Sequence, residues 1–218
     1  MINEARQAIL GSIRTHLAAS VPEENHENLP QNPVILSKTP PAISLVELFR
    51  QSVEAVNGHG IIVNNDTDIA AALTRIITDL NAQRLAISDN PEVERLLNLT
   101  DLEIEELGVA PDAHDIFGFD VGITTVQAAI AETGTLVLDS TQERHRLVSL
   151  VPPVHIAILD ASKIYATLGE VLAFIHKNEI SPAVTFITGP SRTADIELTL
   201  TVGVHGPQEL YVIINGST

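Results

Sequence analysis

From Ser44 onward, short aliphatic runs alternate with stretches of helical period, and this alternation restricts the chain to α/β folds. GIIVN (60–64), RLAISD (84–89), the acidic LEIEEL (102–107), GTLVLDS (134–140), VHIAILD (154–160), AVTFIT (183–188) and ELYVIIN (209–215) each read as a strand. Between them, Ser44 caps a helix through Val56 with Glu47 in the capping-box position, and Asn57-Gly58 stops it. Asp66 or Thr67 caps a helix to Leu80, Pro91 opens another, DVGITTVQAAIA (120–131) reads as a helix, and so does the stretch from Ser162 or Lys163 to Lys177. Apolar residues make up 44% of the chain and aromatics 3%, so the core must consist of closely packed Ile, Leu, Val and Ala. That palette suits a parallel sheet buried on both faces. The expected architecture is a mostly parallel open sheet flanked by helices, with right-handed crossovers.

The N-terminal segment is different. Ile2, Ala5, Ile9, Ile13 and Leu17 recur at helical spacing, which predicts an amphipathic helix over 3–19. The Pro-, Asn- and Glu-rich residues that follow have no period and form a linker or extended arm. Residues 1–40 are therefore an N-terminal helix and arm, and 41–218 the α/β domain. The apolar face of the helix could dock on this subunit or on a neighbour, which would make a homo-oligomer.

Several functions are disfavoured by composition. The 28 acidic against 12 basic residues give a formal charge of −16, with 18 acidic and 7 basic residues up to Asp115. Such a surface repels phosphate backbones, so nucleic acid is not an expected partner; the same charge also keeps a protein soluble. The chain has no cysteine, so it can hold no iron–sulfur cluster through thiolates. Charges interrupt every apolar run before it reaches a membrane-spanning length, and MINEARQAILGSIRTHL lacks a signal-peptide core. No membrane association and a cytoplasmic location are expected.

Three glycine turns carry the candidate chemistry, and each is expected at the end of a strand, where open α/β sheets bind ligands. In Glu132-Thr133-Gly134-Thr135 a carboxylate ends the helix of 120–131, where it could act as nucleophile, general base or hydrogen-bond acceptor. Equally, Thr133 and Gly134 make only a turn and Glu132 is solvated. Gly189-Pro190-Ser191-Arg192-Thr193-Ala194-Asp195-Ile196-Glu197 follows an apolar strand, and a helix start after it would aim N–H groups at an anion. Its alternative is a capped turn with Ser191 or Thr193 as N-cap. In Gly203-Val204-His205-Gly206-Pro207 the glycines let the histidine approach a ligand closely, although a satisfied structural histidine is the common outcome.

Arg146 is a further cation that could clamp a carboxylate or phosphate, or be an ordinary surface arginine. His145, His155 and His205 have no metal-ligand spacing, so no metal is expected. Neither a P-loop nor a GxGxxG fingerprint is present.

Together, GITTVQAAIAETGT, RLVSLVPPVHIAIL and ITGPSRTADIELTLTVGVHGP resemble the lactate utilisation protein C family, whose members carry an LUD domain. The resemblance is close over about the last hundred residues and extends to the first half only in layout. It implies a NagB/RpiA/CoA-transferase-type α/β fold. It also implies a role, with two partner proteins, in an iron–sulfur-dependent oxidation of L-lactate to pyruvate. The cluster would then sit on a cysteine-rich partner subunit, and this chain would bind a small molecule. CoA-transferases of that fold use a glutamate beside a glycine as nucleophile, and Glu132 with Gly134 is similar in placement, although the local pattern departs from theirs. The site this suggests has Glu132 and His205 as catalytic groups. Its ligand-binding residues would be Thr133, Gly134, Thr135, Arg146, Gly189, Pro190, Ser191, Thr193, Asp195, Glu197, Gly203 and Gly206, at the carboxyl edge of the sheet. The alternative is a self-contained acyl, CoA or sugar-phosphate enzyme using Glu132.

Overall fold

The computed structural model describes residues 2–19, 43–141, 146–177, 181–194, 200–202 and 206–216. It divides into two compact units, Met1–Leu36 and Ser37–Thr218. In the first, α1 (Ile2–Ala19) exposes Ile9, Leu10 and Ile13.

The second unit is built on six parallel strands: β1 (His59–Val63), β2 (Arg84–Ile87), β3 (Glu106–Val109), β4 (Val121–Thr125), β7 (Val154–Asp160) and β12 (Glu209–Asn215). They lie in the order β1-β12-β7-β4-β2-β3. A four-stranded sheet, β8-β5-β6-β9, consists of β5 (Ala128–Ile130), β6 (Thr135–Asp139), β8 (Ile164–Tyr165) and β9 (Val184–Thr188). A ribbon pairs β10 (Arg192–Ala194) with β11 (Leu200–Val202). The helices are α2 (Leu45–Ala55), α3 (Asp66–Asp79), α4 (Pro91–Leu97), the single turn α5 (Leu147–Leu150) and α6 (Leu168–Lys177). Among the described residues no helix is long and apolar enough to cross a membrane.

Strand alternation sorts the core into two layers. Val154, Ile156 and Ile158 of β7 pack with Ile69, Leu73 and Ile77 of α3 and with Val93 and Leu96 of α4. Ala157 and Leu159 face the other way, with Phe49 and Val53 of α2 and with Leu136 and Leu138 of the second sheet. One face of the parallel sheet is thus covered by helices, the other by α2 and a second sheet.

That second sheet corrects the expected helix at 120–131, which is β4, a two-residue link and β5. Every residue from Val121 to Ile130 is buried, so the polar alternation that marks a strand is missing, and the β-branched run Ile123-Thr124-Thr125-Val126 decides in favour of extended backbone. The helix expected from Ser162 or Lys163 starts later, at Leu168, because Asp160 caps a short 3-10 turn and Ile164–Tyr165 pairs with β5. Ser44 does cap α2 and accepts from the Glu47 N–H, whereas α3 is capped by Asn65 and not by the expected Asp66 or Thr67.

Candidate functional site

Helix α2 holds two of the glycine turns. Gly134, at φ 64°, and Gly189, at φ 71°, both use left-handed backbone. A Cβ on Gly134 would lie 2.5 Å from Val53 N, and one on Gly189 2.5 Å from Val56 O. The turns therefore sit directly under consecutive turns of one helix. They also sit side by side, because Thr135 pairs with Thr188 across β6 and β9. Their hydroxyls form a short chain: Thr133 Oγ1 to Thr135 Oγ1 at 2.7 Å, then to Thr188 Oγ1 at 2.8 Å.

A cleft of about 230 Å³ opens beyond Thr188. Gly189, Pro190 and Ser191 form one wall, Gly206, Pro207 and Leu210 another, and Ser149, Leu150 and His155 line the rest. Three neighbouring elements fix its shape. Gly122 lets α5 come so close to β4 that a Cβ there would overlap the carbonyl oxygen of Val148, and this places Ser149 and Leu150. Ser149 Oγ donates to the Arg146 carbonyl at 2.9 Å. The Ser191 N–H donates to the Pro207 carbonyl at 2.7 Å and ties the two walls together.

His155 is the second residue of β7 and 0% exposed. Its Nε2 lies 2.9 Å from Thr124 Oγ1, and its Nδ1 has no hydrogen-bond partner among the described residues. An unpaired polar group buried in this way costs about 1–3 kcal/mol. Burial pushes the imidazole down to about 3, so it is neutral at physiological pH. The unfolded chain, with an ordinary histidine near 6.5, takes up a proton first. The stability this neutral ring contributes is therefore complete above that value and is lost as the pH falls towards about 3. Between pH 7.5 and 5 the expected loss is about 2 kcal/mol, at about 1.4 kcal/mol per unit below 6.5. Urea unfolding at both pH values checks this: His155→Gln should remove most of the difference, and an equal loss in the variant would refute the assignment.

Several expectations need correction. His155, Leu210 and Pro207 lie at the amino ends of the parallel strands, so this cleft is at the opposite edge from the expected carboxyl one. The reason is that β9 lies in the second sheet, antiparallel to β6, and its carboxyl end meets the amino ends of β7 and β12. No helix follows Ser191; Arg192–Ala194 is β10, with Thr193 opposite Thr201, so neither the helix-start anion cradle nor the N-cap forms. Arg192 is exposed, with its guanidinium against the Asn57 carboxamide.

Glu132 does not end a helix. It sits in the turn between β5 and β6, is exposed, and its Oε1 accepts from the Leu168 N–H at the start of α6, 3.3 Å away. Neither Glu132 nor the exposed Arg146 lines the cleft. Asp195, Glu197, Gly203 and His205 lie outside the described residues, so Gly189, Pro190, Ser191 and Gly206 are the expected site residues that the cleft brings together. Glu132→Gln is expected to change unfolding free energy by no more than about 0.5 kcal/mol and to leave ligand binding intact, because a glutamine oxygen can still accept from Leu168. A large loss of binding in that variant would place Glu132 in the ligand site.

The true carboxyl edge has polar groups of its own. At the ends of β2 and β4, Ser88 Oγ is buried without a partner among the described residues, and Asn90 Nδ2 donates to Thr125 Oγ1 at 3.0 Å. Chain connections leave β2 towards β3 and β4 towards β7, so this is where the strand order reverses. Among the described residues no group of three His, Cys, Asp or Glu side chains could hold a metal ion.

The sequence pointed to Ser191 and Gly206 but passed over His155, Thr188 and Ser149. One signal was present: a lone histidine in phase with Ala157 and Leu159 inside an aliphatic strand must be buried.

Fold and cleft define an open parallel α/β protein whose mixed second sheet borders a small cleft at the strands' amino ends. The LUD domain matches residues 46–215, and the chain belongs to the LUD-domain family. A lactate utilization protein C of Macrococcus caseolyticus is 31% identical over 192 residues, covering 78% of each chain. One from Geobacillus is 43% identical over 100 residues, 44% of this chain and 42% of that protein. The alignments with the first curated relatives span 41–42% of those proteins' length. The crystal structure of a DUF162 family protein from Deinococcus radiodurans superposes with a TM-score of 0.62 at 23% identity, covering 80% of this chain and 99% of that one, which establishes a shared fold.

Proposed function

We propose that the chain is a cytoplasmic subunit of an iron–sulfur-dependent system that oxidises L-lactate to pyruvate, and that it binds a small molecule in the cleft between β7, β12 and the β9–β10 turn. Membership of the LUD-domain family and relatives named lactate utilization protein C support the pathway. The observation that carries the site is the cleft itself, a small cavity with a buried histidine and three hydroxyl-bearing residues in its lining. At about 230 Å³ it is below the roughly 300 Å³ at which pockets for drug-sized ligands begin, so it suits a metabolite of a few heavy atoms.

The chain does not fit an iron–sulfur cluster: it has no thiolate to offer. Conversion of L-lactate to pyruvate releases two electrons and two protons, and in this reading the electrons leave through a cysteine-rich partner. The exposed apolar residues of α1 are the natural docking element for such an assembly.

Reconstitution tests the proposal. L-lactate-dependent reduction of an electron acceptor should appear when the purified chain is combined with its cysteine-rich partners and be absent from the chain alone. Turnover of an acyl-CoA or a sugar phosphate by the isolated chain would favour a stand-alone enzyme and overturn the subunit reading.

A further inference from the structure

We propose that His155 is the selecting group of this cleft: with its tautomer fixed by Thr124, it donates from Nδ1 to a carboxylate or carbonyl oxygen of a small organic acid. This deepens the functional reading above and rests on the cleft being the ligand site.

The tautomer follows from the pairing of buried groups. Thr124 is 1% exposed, and its Oγ1 has one partner among the described residues, His155 Nε2 at 2.9 Å. Its hydroxyl hydrogen needs an acceptor, and Nε2 is the one in reach. An imidazole that accepts at Nε2 and is neutral must carry its proton on Nδ1. Nδ1 is then a buried donor with no acceptor among the described residues, in a residue that borders the cleft. The reverse tautomer would leave the Thr124 hydroxyl hydrogen without an acceptor and is disfavoured on that ground.

The lining determines what such a donor can recognise. Among the described residues the cleft presents no Lys or Arg, and the imidazole stays neutral, so nothing there offsets a phosphate dianion. Leu150, Ile187, Pro190 and Leu210 supply apolar surface. Ser149 Oγ already donates to the Arg146 carbonyl, and Thr188 shares with Thr135 a hydrogen bond that either hydroxyl can donate, so Ser191 and His155 are the polar pair whose side-chain hydrogens no described residue accepts. A short hydroxy or oxo acid, with one oxygen-rich end and one apolar end, matches that pair.

The test uses the full chain with ¹⁵N-labelled histidine, observed by long-range proton–nitrogen correlation at pH 7 and titrated with L-lactate, pyruvate and inorganic phosphate. His155 should show the Nδ1–H tautomer, and its Nδ1 signal should move with lactate or pyruvate and not with phosphate. Two variants separate recognition from packing. The glutamine amide reproduces the position of Nε2 and the asparagine amide that of Nδ1. His155→Gln should therefore weaken binding of the responding acid by about tenfold, and His155→Asn by no more than about threefold. An Nε2–H tautomer, a signal unmoved by either acid, or equal losses in the two variants would overturn the proposal. A chain that supports lactate oxidation in reconstitution while Nδ1 stays unmoved would sink the role of His155 alone. An Nδ1 response without lactate oxidation would sink the functional reading alone.

Discussion

Gly122→Ala is expected to lower the unfolding free energy by about 3 kcal/mol or more, at the upper end for a single methyl group. The added Cβ would overlap the carbonyl oxygen of Val148 and come within 3.2 Å of Pro152 Cγ. A backbone carbonyl cannot rotate out of the way, so α5 must lift off β4 or the strand must bend. Either movement displaces Ser149 and Leu150, so ligand affinity should fall together with stability. Gly11→Ala in α1 is the control: no atom lies within 4 Å of its Cβ position, and alanine favours an exposed helix by up to about 1 kcal/mol. Urea denaturation followed by circular dichroism compares the two. A Gly122→Ala protein within 1 kcal/mol of the parent would show that the close approach of α5 is not a constraint.

Gly206→Val should do the opposite and abolish binding while sparing most of the stability. A Cβ at Gly206 would sit 3.0 Å from Ser191 Cβ and 3.1 Å from Ser191 Oγ; turning the hydroxyl relieves the second contact, and a shift of a few tenths of an ångström relieves the first. The two γ-methyls of valine then occupy the cleft or push Ser191 across it. Affinity for the small acid is expected to fall by at least about a hundredfold, near 2.7 kcal/mol, against a stability loss of about 1–2 kcal/mol. Calorimetric titration checks this with whichever of L-lactate or pyruvate the parent binds. Binding equal to that of the parent would place the ligand elsewhere.

The fold was legible where strands are long, β-branched and bounded by turns. VHIAILD and ELYVIIN form β7 and β12 over the predicted residues, 154–160 and 209–215. It was not legible at 120–131, where complete burial hides the period, nor at Arg192–Ala194 and Leu200–Val202, whose ribbon depends on pairing across the chain. The site was half legible for the same physical reason. Glycine turns announce themselves locally, so Gly134, Gly189 and Gly206 stood out, and the first two have the left-handed backbone that requires glycine. The edge of the sheet they occupy did not follow from the turns, because that depends on β9 being antiparallel to β6. His155 gains its role from Thr124, 31 residues earlier, and from an approach of α5 that Gly122 permits. No local pattern carries such a contact.

The most direct measurement is amide chemical-shift mapping of the ¹⁵N-labelled full chain during titration with L-lactate. The cleft predicts that the largest shifts fall on Thr188–Ser191, on Gly206–Leu210 and at His155. Shifts centred on Glu132 and Leu168, or on Ser88 and Thr125 at the carboxyl edge, would contradict it.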